Sequence, residues 1–211
     1  MSGPATIGIV GAGKLGIVLA QLCLRAGYEV YISGSGDPSK IALSVEVLAP
    51  GAQAVTTEKL AKKAGLVILA IPLKNFRHID SSLFSGNIVV DAMNYWPEVD
   101  GELSDIIPGE MSQSEEVQRY FASARVIKAL NHMGYHHLLD EARPRGASRR
   151  KAIAIAGNDH EGVVVVAQVV DAIGFDALVI GDLASGRALE TGMPAFGANT
   201  TESELKKLAR P

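Results

Sequence analysis

The hexapeptide Gly11-Ala12-Gly13-Lys14-Leu15-Gly16 constrains this chain more than any other stretch. Ahead of it, residues 5–10 (Ala-Thr-Ile-Gly-Ile-Val) form an apolar, β-branched run, the pattern of a strand buried on both faces. Behind it, Leu15, Val18, Leu19 and Leu22 recur at helical spacing until Gly27 supplies a stop. Alone, a G-x-G-x-x-G is a weak pattern; between a buried strand and a helix it is a specific one. Gly11 makes the tight turn, Gly13 lets a diphosphate approach the backbone, and Gly16 lets helix and strand pack closely. The diphosphate then rests on the unpaired N–H groups that open the helix. The spacing predicts a dinucleotide site floored by Gly11, Gly13, Lys14, Leu15 and Gly16.

The chain continues as alternating strands and helices. Residues 28–33 read as a second strand, whose end is where a dinucleotide's adenosine ribose is recognised. NAD-preferring sites place a carboxylate there, whereas this strand ends in Ser33-Gly34-Ser35-Gly36, with Lys40 one turn further on. These small hydroxyls and a nearby cation leave room for a 2′-phosphate and predict NADP(H). Asp37 precedes Pro38 and reads as a helix cap rather than as the ribose acid. A fully apolar run at 66–71 is closed by Pro72, which places Ile71 and Pro72 beside the nicotinamide end of the ligand. Strands at 87–92 and 125–130 bring Asn94 and Asn131-His132-Met133-Gly134 to the same edge. A strand at 151–156, a helix at 159–173 and a strand at 177–180 follow.

This order predicts an α/β, Rossmann-like, doubly wound and mostly parallel sheet, extended by extra strands and followed by a small C-terminal helical tail. Residues 1–181 read as one nucleotide-binding domain with a loop excursion at 95–118, and residues 182–211 as a tail on that domain or on a partner subunit. The excursion holds seven acidic residues and no basic one.

The 211 residues carry a net charge of −3, which argues against nucleic-acid or membrane-surface binding. No apolar stretch reaches the roughly 20 residues needed to cross a bilayer, and no basic residue precedes the glycine motif as in a secretion signal. The single cysteine, Cys23, falls on the apolar side of the first helix. These features predict a cytoplasmic protein.

The catalytic machinery is less legible. His132, His136, His137 and Asp140 lack metal-site spacing, so no metal is expected. No lysine or glutamate declares itself as a proton donor, and no nucleophilic triad can be composed. Chemistry that needs only two aligned rings and the exclusion of water fits this absence, as in hydride transfer between a nicotinamide and a second redox cofactor. A reductase of a small carbonyl or imine, with Asn131 or His132 polarising it, and an NADP(H)-sensing binding protein without turnover remain alternatives. The basic run at 142–151 reads as a solvated loop, a partner for the acidic excursion of a neighbouring subunit, or a seat for an anionic tail.

Several stretches resemble the NADP oxidoreductases that use the deazaflavin coenzyme F420. They are the glycine motif, the serine-glycine end of the second strand, Ile71-Pro72, Val90-Asp91-Ala92-Met93-Asn94 and residues 126–134. Ala156-Gly157-Asn158-Asp159 and residues 181–190 extend the likeness. The most specific are Lys128-Ala129-Leu130-Asn131, and Gly181-Asp182-Leu183 followed by Arg187-Ala188-Leu189-Glu190. The resemblance implies a homodimeric cytoplasmic reductase passing hydride between NADPH and the deazaflavin. By matching position, Ser33 and Ser35 would face the 2′-phosphate, and Asn94 with residues 131–134 would approach the second ring, with Trp96 beside them. The long excursion, and the lack of an arginine after the second strand, keep an ordinary flavin (FAD or FMN, as in related ferric-reductase domains) or a small organic substrate as alternatives.

Overall fold

Runs in which every successive residue is apolar have no solvent face, so they must lie in a sheet covered on both sides. The computed structural model, which describes residues 5–209, arranges them so. The first half runs β1 (Thr6–Val10), α1 (Lys14–Arg25), β2 (Glu29–Ser33), α2 (Ser39–Leu48), β3 (Gln53–Ala54), α3 (Thr57–Lys63), β4 (Leu66–Leu69) and β5 (Ile88–Asp91). Two 3-10 segments, Leu73–His78 and Ser81–Phe84, join β4 to β5. The second half runs α4 (Pro97–Asp100), α5 (Leu103–Ile106), α6 (Gln113–Tyr120), β6 (Arg125–Lys128), α7 (Tyr135–Glu141), β7 (Ala152–Gly157), α8 (His160–Ala172) and β8 (Asp176–Gly181). A 3-10 segment, Leu183–Leu189, and α9 (Glu202–Leu208) close the described chain. The outermost residues of the two proposed segments, 1–4 and 210–211, lie outside the described residues.

The eight strands form one sheet in the order β3-β2-β1-β4-β5-β6-β7-β8. Its pairs are parallel except β6 with β7, so the extension turns over at that single join. Register aligns Ser33, Val10, Leu69, Asp91 and Lys128 in one row across five strands. Whatever follows those residues therefore emerges on one edge. The chain leaves β1 towards β2 on one side and returns through β4 on the other, which makes a crevice at the β1–β4 switch, the usual ligand position of open α/β sheets.

One apolar layer, with Leu19, Cys23, Leu138 and Val166, seats α1, α7 and α8. The opposite layer, with Leu60, Phe76, Phe84 and Phe121, seats α3, the 3-10 segments after β4, and α6. A small cluster of Leu178, Leu189, Ala195 and Leu205 fixes the tail against β7 and β8.

One expectation changes. The stretch at 95–118 is not an open loop: it holds α4, α5 and the start of α6, anchored by buried Ile106, Ile107 and Val117. In the basic run at 142–151, the side chains of Arg145, Arg150 and Lys151 bond within this chain. Arg145 and the buried Arg150 both bond Asp171, Arg150 also reaches Asp176, and Lys151 donates to the Asn199 carbonyl.

Candidate active site

The turn after β1 is shaped by backbone contacts. The Gly11 amide donates to the Ser33 carbonyl at 2.8 Å, and Gly11 sits at φ 117°, a left-handed conformation that favours glycine. A methyl group at Gly11 would lie 2.2 Å from the Ala70 carbonyl oxygen, and one at Gly16 would lie 1.8 Å from that of Gly11. At Gly13 a methyl would meet no protein atom within 4 Å. The outer two glycines are thus demanded by the fold, whereas the middle one leaves space above the start of α1. Among the described residues no side chain caps that helix start and its first turn has no acidic residue, so its opening amide groups have no side-chain acceptor there.

The space opens into a cleft of about 650 Å³, within the usual range for small-molecule sites. Gly11, Ala12 and Gly13 form one wall, Gly34, Ser35 and Gly36 the second, and Ile71 and Pro72 lie at the end of β4. Ser33 lies beneath this surface: it is fully buried and its hydroxyl accepts from Thr57 Oγ1 at 3.1 Å. Ser35 lines the cleft, and Lys40 Nζ lies 3.8 Å from the position a methyl on Gly36 would take. Asp37 accepts from the Ser39 amide at 2.8 Å, which lowers the pKa of its carboxyl and ties it to the start of α2. Thr57, Glu58, Asn75, His78, Ile79, Asp80 and Leu83 also line the cleft. They went unnoticed in the sequence, although the segment after Pro72 had to pass the carboxyl end of β4. Shape, open amides and the void at Gly13 fit a dinucleotide diphosphate.

On the far side of β4 the ends of β5 and β6 are tied together. Asn94 Nδ2 donates to the Asn131 carbonyl at 2.8 Å, and Asn131 Nδ2 donates to Asn94 Oδ1 at 3.0 Å and to the Leu189 carbonyl at 2.8 Å. Leu130, just before, is held at φ 64°, a strained value for leucine. Gly134 caps α7, and Trp96 stands 44% exposed with its ring 5.7 Å from Phe196. Met133 is buried. The His132 ring turns inward, where Nε2 accepts from the Ala154 amide at 3.1 Å, and burial pushes its pKa down to about 4. It is a neutral core imidazole and not a group offered to the crevice.

Beneath the asparagines lies a buried ion pair that sequence reasoning did not single out. Lys128 Nζ is 3.3 Å from Asp91 Oδ2, and both side chains are wholly excluded from solvent. Ser114 Oγ donates to the same oxygen at 2.6 Å. Nearby Glu190 accepts from the Gln113 amide at 2.8 Å, and burial raises its carboxyl pKa.

Comparison with known proteins agrees with this geometry. Residues 6–95 match the model of the family described as NADP oxidoreductase, coenzyme F420-dependent. The rat (Rattus norvegicus) metalloreductase STEAP3 is 30% identical over 190 residues, 87% of this chain but 35% of that protein. The chain thus spans about a third of that curated relative. Among solved structures, a hypothetical protein from Sinorhizobium meliloti is 26% identical with a TM-score of 0.79, covering 93% of this chain and 95% of the other. A structure from Arthrobacter sp. FB24, described as a candidate F420-dependent NADP reductase, shares the fold at 24% identity and TM-score 0.73, covering 87% and 88%. Fold and site define a Rossmann-like, dinucleotide-binding α/β protein, whose nucleotide-binding segment matches that of the NADP oxidoreductases. Within that class the chain resembles the coenzyme F420-dependent NADP oxidoreductases, through the nucleotide-binding segment that their model covers.

Proposed function

We propose that this protein passes hydride between NADP(H) and a bound deazaflavin, coenzyme F420, and that it does so as a cytoplasmic homodimer. One observation carries the reading. At the ends of β5 and β6 the ionisable groups are already engaged, Asp91 with Lys128, Glu190 with the Gln113 amide and His132 with Ala154, so that part of the edge presents the Asn94 and Asn131 amides where a carbonyl reductase would present an acid. Hydride transfer between two ring cofactors asks for no more, because the rings themselves supply the reactivity when bound.

The chain's own residues then bind, orient and shield. The amides opening α1 hold the diphosphate, with the backbone of Gly13, Lys14 and Leu15 as donors. Ser35 and Lys40 take the 2′-phosphate, and Ser33 supports that loop from below. Ile71 and Pro72 border the nicotinamide. Asn94, Asn131 and the 132–134 turn set the second ring, and Trp96 shields it from water.

The likeness to a metalloreductase favours a second reading, in which FAD or FMN replaces the deazaflavin and electrons go on to a metal ion. Mixing the protein at catalytic concentration with NADPH and each oxidised cofactor decides between them. Loss of the deazaflavin absorbance supports the first reading. Ferric reduction that requires added flavin selects the second, and NADPH left unoxidised by every acceptor contradicts both.

A further inference from the structure

Lysine at position 128 is costly. Removing two charges from water exacts several kcal/mol per ion, and apolar residues of similar size would fill the same positions without that cost. The neighbouring sheet positions Val89, Val90, Val126 and Ile127 are all apolar and buried. Packing alone therefore does not call for the pair.

Its hydrogen bonds converge on one peptide. Asp91 Oδ1 accepts from the Met93 amide at 3.0 Å, and Lys128 Nζ donates to the Met93 carbonyl at 2.7 Å. Met93 is thus gripped at both its amide and its carbonyl, and the next residue is Asn94, whose side chain is interlocked with Asn131. The grip is itself seated. Ser114 of α6 donates to Asp91 Oδ2, and a methyl on Gly186 would come within 3.2 Å of the Lys128 stem, so the 3-10 segment Leu183–Leu189 lies directly on it.

We infer that Asp91 and Lys128 are positioning residues: they fix the Met93 peptide and so hold the Asn94–Asn131 amide pair where the second redox partner docks. This rests on the reading above for what docks there, but not for the positioning itself. The pair lies beyond β4 from the Gly13 space, so nucleotide affinity is separable from it.

The test is a charge-free swap, Asp91→Leu with Lys128→Met, compared with Lys128→Met alone. The single change strands a buried carboxylate and lowers Tm. The double change removes the stranded charge and raises Tm above that of the single variant, though the Met93 amide and carbonyl and the Ser114 hydroxyl lose these partners. NADPH Kd stays within twofold of wild type at a temperature where the variant is folded. The result expected is that kcat for hydride transfer to the deazaflavin or flavin still falls at least tenfold. Trp96, the one tryptophan of the chain and two residues beyond Asn94, should also shift its emission. A merely structural pair predicts that activity returns with stability, so wild-type kcat and unshifted emission in the double variant overturn the inference. Should wild-type protein reduce none of the acceptors, the proposed function falls, and Trp96 emission alone decides: a shift upholds the positioning role and its absence overturns it.

Discussion

A methyl group placed at Gly13 enters open space, whereas one at Gly16 strikes the Gly11 carbonyl, so the two alanine substitutions should part company. Gly13→Ala is expected to leave Tm unchanged and weaken NADPH at least tenfold, about 1.4 kcal/mol, because the methyl occupies the diphosphate's approach. Gly16→Ala is expected to cost roughly 1–3 kcal/mol of stability by overpacking. Thermal melts beside NADPH titrations separate them. Lys40→Ala should weaken NADPH severalfold and leave NADH unchanged. His132 sets an acid limit of its own. Its pKa is depressed to about 4 in the folded chain against 6.5 when unfolded, so the unfolded state binds the extra proton between those values. Stability is therefore full above about pH 6.5 and falls as pH drops towards 4, by roughly 3 kcal/mol at most. Denaturant melts of His132→Gln should show that slope flattened. Cys23, buried and with its thiol pushed up to about 12, should resist alkylation in the native state.

At the scale of elements, the end of α8 is clamped by Arg150, which is 5% exposed and bonds Asp171, Asp176 and the Asp171 and Arg143 carbonyls. Arg150→Ala should lower stability by roughly 2 kcal/mol, less than a wholly buried pair because both carboxylates remain partly wetted, with hydride transfer unaltered at a temperature where the variant is folded. The strands at the sheet's centre were legible because two-sided burial leaves an unbroken apolar run, as in Leu66–Leu69 and in Ile88, Val89 and Val90 of β5. The ladder stops a residue or two short of the apolar runs, because Ile71 turns into the cleft lining and Leu130 leaves the strand at φ 64° into the core. The helices of 95–118 were hidden by acidity. Yet Ser112-Gln113-Ser114-Glu115 is a reciprocal capping box, a signal for the start of α6, and Glu116 is buried only because Arg77 and Arg119 neutralise it from two directions. Long-range pairings of that kind leave no periodicity in a sequence. The same reason hid Lys128 with Asp91, whose strands are adjacent only in the folded sheet.

For the whole molecule, one edge of one sheet gathers the function. Ser33, Val10, Leu69, Asp91 and Lys128 stand in a row, and beyond them lie the cleft on one side of β4 and the asparagine pair on the other. The glycine motif disclosed the first half of that edge, and the pocket-lining segment after Pro72 emerged only with the fold. On the proposed reading, the two redox partners meet along this edge, with Asp91, Lys128 and His132 engaged beneath the asparagine pair. The most direct measurement is a crystal structure with NADPH bound. The diphosphate should lie over Gly13 within hydrogen-bonding distance of the amides opening α1, with the nicotinamide beside Ile71 and Pro72. NADPH bound elsewhere, with that glycine turn empty, would contradict the account.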